Sequence, residues 1–351
     1  MIFKKNHLVQ NEAEYLTNIN AANNLFRNDL ELNDYNLPNV KPIEIHPYLD
    51  EYPLRSTTKY IIGTFPPISY LRDSLNIPNA VGDINPRPKI PFFHGQTCHQ
   101  WNFFLNQAEL ANIGAFNANN PIDTRQGQSE HINRILEESD INYSDIIYSI
   151  NRNAYDANDE SLENIVPNLN LIYHILTNDK SKYLNFNTSS LFNNGNGLRF
   201  YHNNGNNNIV GDLRYKVQSY ELFLVTLKTL GFKLELKLIP NDDWVALHIN
   251  NSTYLSNNYK YKTLTKLRVT TKHSIEIKNE QFVNFSKEYT VITGPSPSGN
   301  ASRGLGRNQI YINWLENLDL NINGPLTHVF RREFYNLFRN NPDELSNWNV
   351  Y

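Results

Sequence analysis

The chain has 351 residues, with 32 Lys+Arg against 35 Asp+Glu, and its formal net charge of −3 gives no global sign of an anionic partner. A single cysteine, Cys98, excludes an internal disulfide, a four-thiolate zinc site and an iron–sulfur cluster. No apolar run is long enough for a signal peptide or a bilayer span, so a soluble, monomeric, cytoplasmic protein that touches no membrane is expected.

Roughly one residue in six is Asn, well above ordinary usage, which predicts long polar loops between ordinary elements. Residues 1 to about 55 read as an Asn-rich N-terminal extension with one weak helix around residues 11 to 30. The first strong strand is Lys59-Tyr60-Ile61-Ile62, which stops at Gly63-Thr64-Phe65-Pro66-Pro67. A Pro-rich loop follows to residue 91, then a helix beginning near Trp101 and a second near residues 129 to 138. Asp145 to Ile150 reads as one buried strand emptying into a polar loop, Asn151 to Asp159. A strand at Tyr183 to Asn187 precedes a long Asn/Gly-rich loop, 193 to 208.

The clearest predicted helix runs from Asp212, as N-cap, to Leu230, with Gly231 just past its end. The period then changes. Phe232, Leu234, Leu236 and Leu238 alternate with polar residues, the mark of a half-exposed antiparallel strand, and residues 232 to 286 are expected to form a β-rich insertion. Tyr289 to Thr293 returns to the buried-strand style and ends at Gly294-Pro295-Ser296-Pro297-Ser298-Gly299. Helices at about 308 to 318 and 325 to 339 close the chain. Buried strands alternating with helices predict an α/β fold, a three-layer α/β/α sandwich on a short, mostly parallel sheet, spanning 56 to 351.

Two strand-end loops stand out, 63 to 67 and 294 to 303. Their Gly, Pro and small hydroxyl residues let backbone N–H groups approach a phosphate or a flat ring, although an ordinary tight turn has the same composition. In wording and order, four segments resemble the uracil-DNA glycosylase superfamily, nearest its mismatch-specific and hypoxanthine-type branch. They are Gly63-Thr64-Phe65-Pro66-Pro67, Phe92 to Trp101, Asp145 to Leu162, and Gly294 to Arg303. The resemblance implies a three-layer fold without metal or cofactor. It also implies binding of double-stranded DNA, extrusion of a nucleotide and hydrolysis of its N-glycosidic bond.

Under that resemblance Gly63, Thr64, Phe65, Pro66, Phe92 and Phe93 line the base site. Pro295, Ser296, Ser298, Gly299, Asn300 and Arg303 would hold the DNA. The chain departs from the family where Asp, Asn or Glu usually handles the water, because Phe65 stands there. Asp159, Asp156, Asn153, His94 and His99 are therefore the catalytic candidates. Asp159 reads equally as the N-cap of a helix opening at Glu160, and each histidine as a core residue. The expected target is a deaminated, damaged or modified base, a bulky modified cytosine among them. A catalytically inactive DNA-binding module of the same fold and a nucleoside hydrolase stand as alternatives.

DNA binding at net negative charge requires local cations. Lys260, Lys262, Lys266, Arg268 and Lys272 fall at even positions and Tyr259, Tyr261, Leu267 and Val269 at odd ones, so a strand would gather the cations on one face. A solvated edge strand guarded by lysines is the competing reading. Arg331, Arg332, Arg339, Arg87 and Lys89 are further candidates for the footprint.

Overall fold

The structure is a computed structural model. It describes residues 43–46, 48–65, 92–93, 101, 104–106, 108–109, 122–152, 162–187, 198–201, 209–213, 218–238, 244–246, 264–294, 311, 314–315 and 326–348. In chain order the strands are β1 (Ile43–Ile45), β2 (Lys59–Gly63), β3 (Ile141–Asp145), β4 (Ile147–Arg152), β5 (Leu162–Pro167), β6 (Tyr183–Asn187), β7 (Leu198–Tyr201), β8 (Ile209–Leu213), β9 (Lys233–Leu238), β10 (Val245–Ala246), β11 (Leu264–Thr270), β12 (Ile275–Ile277), β13 (Glu280–Phe282) and β14 (Ser286–Gly294). The helices are α1 (Ile122–Glu138), α2 (Leu169–Thr177), α3 (Gln218–Thr229) and α4 (Leu326–Asn340), followed by a 3-10 segment, Pro342–Trp348.

The result is an α/β body on a seven-stranded mixed sheet of order β10-β9-β11-β14-β6-β2-β3. β14, β6, β2 and β3 run parallel. β11, β9 and β10 continue the sheet beyond β14 with antiparallel pairings. The expected mostly parallel sheet is thus corrected to an evenly mixed one. The alternation in residues 232 to 238 does mark an antiparallel strand, but that strand and β11 hydrogen-bond onto the central sheet, covering an edge of β14 that would otherwise offer unpaired backbone groups.

Side-chain parity distributes the core over both faces of this sheet. Tyr60, Ile62, Leu184, Phe186, Tyr289 and Val291 join a cluster with Leu171, Ile172 and Ile175 of α2 and Phe223, Leu224 and Leu227 of α3. Ile61, Tyr143, Tyr183 and Ile292 join a second cluster with Ile132 and Ile135 of α1 and Phe334, Tyr335 and Phe338 of α4. Strands buried on both faces need no polar alternation, which is why β2 and the second half of β14, Tyr289 to Ile292, are buried without a break.

Three sequence readings change. Residues 43–46 and 48–55 belong to the body rather than to an extension: β1 pairs with β4, and Tyr48 and Tyr52 are buried in the second cluster. Asp145 to Ile150 is not one strand. The chain leaves the large sheet at Ile146, whose N–H donates to the Gly63 carbonyl at 3.0 Å, and β4 then enters a separate β1-β4-β5 sheet. Asp212 caps no helix, because it lies in β8 opposite Arg199 of β7, and α3 begins only at Gln218. Gly231 does follow α3 as expected, at φ +104°, where a side chain would be strained.

Candidate functional site

The four parallel strands end at one edge of the sheet. Gly63 is opposite Asp145, Ile62 is opposite Phe186 one step earlier, and Gly294 is opposite Asn187. The edge row therefore reads Asp145, Gly63, Asn187, Gly294, and the two Gly/Pro loops singled out in sequence leave from strands separated only by β6. Ligands of open α/β sheets bind at this carboxyl edge, where strand ends present backbone and side chains without a following ladder.

At one end of the row sits a buried pair. His46 Nε2 is 2.8 Å from Asp145 Oδ2, and both side chains are fully buried. The Tyr48 backbone N–H donates to His46 Nδ1 at 3.2 Å, so Nδ1 is the acceptor, Nε2 carries the proton, and the ring donates it to the carboxylate. The fold fixes both partners. β1 delivers His46, whose N–H bonds the Tyr148 carbonyl at 2.8 Å, and β3 ends on Asp145, opposite Gly63. Asn168 ties the same corner to α2: its Nδ2 donates to the Asp145 carbonyl at 3.0 Å while its Oδ1 caps the helix by accepting from the Leu171 N–H at 3.1 Å.

Aromatic rings surround the pair. Phe65 meets the imidazole edge-on at 5.4 Å, and Phe93 lies 5.3 Å from it and 4.9 Å from Tyr143. Phe93 holds this place with φ +23°, outside the regions a bulky residue adopts readily. In such apolar surroundings a carboxylate acts on a nearby developing positive charge far more strongly than in water.

At the other end of the row, Gly294 has no room for a side chain. A Cβ there would lie 2.6 Å from Phe334 ring atoms and 2.8 Å from Asn185 Oδ1. Asn185 is fully buried, and among the described residues neither its Oδ1 nor its Nδ2 has a hydrogen-bond partner.

Of the residues assigned to base binding, Gly63, Thr64, Phe65 and Phe93 gather at this edge. Phe92 is a core residue, packed 4.6 Å from Tyr52 and 5.4 Å from Trp101. Pro66, His94, His99, Asn153, Asp156, Asp159, Pro295, Ser296, Ser298, Gly299, Asn300, Arg303, Lys260 and Lys262 lie outside the described residues. The helix expected to open at Glu160 is absent from that place, since Leu162 and Glu163 already belong to β5.

The sequence reading passed over His46, Asp145 and Asn185. The available signal was a polar residue where only apolar ones are expected, an Asn between Leu184 and Phe186.

The basic strand behaves as period two predicts, with Leu267 and Val269 buried and Lys266 and Arg268 on the other face. It is not an edge, however, because β11 lies between β9 and β14. Its cations are engaged within the protein. Arg268 bonds Glu288 through Nη2 at 2.7 Å and Nε at 2.9 Å, approaches Glu235 at 3.5 Å, and stacks 3.8 Å over Trp244. Lys266 donates to Thr290 Oγ1 at 2.6 Å, and burial lowers its pKa. On α4, Arg339 grips Glu109 with two 2.9 Å bonds, and Arg331 is buried, its pKa pulled down to about 10 by desolvation.

Among the described residues no three His, Cys, Asp or Glu side chains are grouped to hold a metal ion, and no helix is long and apolar enough to cross a membrane. No protein-family model matches the chain, and searches of curated proteins and of solved structures return no match.

Proposed function

We propose that the chain is a three-layer α/β/α DNA glycosylase. In this reading a cytoplasmic monomer extrudes a deaminated, damaged or modified base from double-stranded DNA and hydrolyses its N-glycosidic bond, leaving an abasic site. The observation that carries the reading is the carboxyl edge itself, where Gly63 and Gly294, the last residues of β2 and β14, flank the end of β6 and a buried carboxylate, Asp145, closes the row.

The chemistry assigns the roles. As the C1′–N bond breaks, the electron pair leaves with the base and positive charge spreads over C1′ and the ring oxygen; water then adds at C1′ and gives up a proton. Asp145 stabilises the cationic sugar and takes that proton, the task for which Phe65 has no polar atom. His46 is a positioning residue: with Nδ1 occupied by the Tyr48 N–H, it aims the carboxylate and does not itself act as base. Phe65 and Phe93 supply flat apolar surface for the extruded ring.

The engagement of Arg268, Arg339 and Arg331 inside the protein favours a second reading, a hydrolase of free nucleosides at the same edge, since these cations are not held out toward a phosphate backbone. Duplexes carrying uracil, hypoxanthine or modified cytosines, incubated with the protein and treated with alkali, test the first reading. Strand cleavage at the modified position is expected. Release of base from free nucleosides without cleavage of any duplex selects the second.

A further inference from the structure

The strand register sets six side chains in one row across the large sheet: Lys237 on β9, Lys266 on β11, Thr290 on β14, Tyr183 on β6, Lys59 on β2 and Ile141 on β3. Lysines occupy three of these places, and a carboxylate none. Lys59 is buried and donates to the Arg339 carbonyl in the last turn of α4, whereas Lys237 and Lys266 stand directly opposite each other, where like charges repel. The neighbouring row on the same face, Glu235, Arg268 and Glu288, alternates in sign. There Arg268 bonds Glu288 at 2.7 Å and lies 3.5 Å from Glu235. One row is balanced, and the next carries an excess of positive charge.

A further cation adds to that excess. Burial lowers the Lys266 pKa, and the Lys182 charge adds to the effect against the pull of Asp343, so Lys182 and Lys266 are within electrostatic reach of each other. Asp343 is already engaged, accepting from the Tyr183 hydroxyl at 2.7 Å and lying 3.5 Å from Lys182. Lys237 and Lys266 are half-buried and the Lys182 side chain is 52 % exposed, which leaves the group open to an anion from solvent.

We infer that Lys237 and Lys266, flanked by Lys182, form a phosphate site that grips one backbone phosphate of the DNA strand whose target nucleotide is extruded at the carboxyl edge. A phosphate diester brings one negative charge and two unesterified oxygens. Shared between two ammonium groups, it replaces their repulsion with charge-assisted hydrogen bonds. Thr290 precedes Gly294 on β14, and the four steps between them span about 13 Å at about 3.3 Å per residue. At about 3.4 Å per nucleotide along one strand, the gripped phosphate lies about four nucleotides from the target.

That the phosphate belongs to DNA rests on the proposed glycosylase reading, so binding is scored apart from base release. Affinity of the full chain for a lesion-bearing duplex is measured across a range of salt for wild type and for Lys237→Gln combined with Lys266→Gln. One phosphate contributes about 0.9 to the slope of log affinity against log salt, and the double variant is expected to lose about that much, not twice it, because the pair serves one phosphate. A neutral methylphosphonate stepped along the lesion strand is expected to weaken wild-type binding about tenfold at a position about four nucleotides from the lesion, the worth of one charged hydrogen bond. The double variant should be insensitive to it there.

Without DNA, Lys237→Glu sets opposite charges across β9 and β11 and is expected to raise the unfolding temperature at low salt, the pattern of a repulsion kept for a ligand. An unchanged slope in the double variant, or Lys237→Glu no more stable than wild type, would overturn the inference. Tight binding of inorganic phosphate with an unchanged slope would also overturn it, by assigning the row to a small phosphate. A slope that falls as expected while no duplex releases a base contradicts the glycosylase reading alone; base release with an unchanged slope contradicts the phosphate site alone.

Discussion

His46 Nε2 donates to Asp145 Oδ2 across 2.8 Å although 99 positions separate the two residues, and neither side chain reaches solvent. Such a pair is costly to break from one side, because the remaining charge stays buried without its donor. Removing one partner of a buried pair typically costs about 3–5 kcal/mol. His46→Ala is accordingly expected to lower the urea midpoint by the equivalent of that amount at neutral pH. A midpoint within experimental error of wild type would mean that the carboxylate does not depend on this ring.

Gly294 makes a steric prediction. Its missing Cβ would stand 2.6 Å from two ring atoms of Phe334 and 2.8 Å from Asn185 Oδ1, closer than side chains pack. Gly294→Ala should destabilise by about 1–3 kcal/mol, as overpacked cores do. Adding Phe334→Leu should recover part of the loss, because the two changes meet at the same place. Equal destabilisation in the presence and absence of Phe334→Leu would show that the ring is not the obstacle.

The pH dependence of stability has a definite sign at His174. Burial first, and then the charge of Lys287, lower its pKa from the ordinary 6.5, while Tyr60 Oη lies 3.0 Å from Nδ1 and the Asn178 amide donates to that hydroxyl at 2.6 Å. The unfolded chain takes up a proton near pH 6.5, whereas the folded chain does so only at lower pH. Stability therefore declines as pH falls below about 6.5 and levels off once the folded pKa is passed. His174→Gln should flatten this limb in urea titrations between about pH 7.5 and 5.5. An unchanged slope would assign the acid sensitivity to other groups.

Much of the sheet was legible in the sequence because a strand buried on both faces has few ways to be written. Tyr183 to Asn187 is β6 as expected, and the alternation from Phe232 to Leu238 marks β9. Tertiary pairing was not legible. Nothing local says that Ile43 to Ile45 will pair with Ser149 to Asn151, and so His46 fell into an apparent extension. The helix drawn back to Asp212 failed because residues 209–213 satisfy their backbone against β7, a choice that helical spacing in the neighbouring sequence concealed. The loop positions at Gly63 and Gly294 were readable, but the carboxylate beside them was hidden in what looked like the start of a strand.

Arg268 separates charge that is present from charge that is free. Its guanidinium is bonded to Glu288, lies near Glu235 and is stacked on Trp244. A cation that neutralises one phosphate of a duplex contributes about 0.9 to the slope of log affinity against log salt. Arg268→Gln should leave that slope unchanged for duplex DNA. A reduction near the size of one phosphate would place Arg268 on the DNA backbone.

In the proposed reaction Asp145, at the end of β3, takes the part for which Phe65 has no polar atom. Single-turnover release of base from a duplex carrying the preferred lesion, compared between wild type and Asp145→Asn, tests it most directly. A loss of about 10²–10⁴-fold, the usual contribution of a positioned acid–base group, is expected in Asp145→Asn, with DNA affinity retained. Wild-type rates in Asp145→Asn, measured on a substrate that the unaltered protein cleaves, would contradict it.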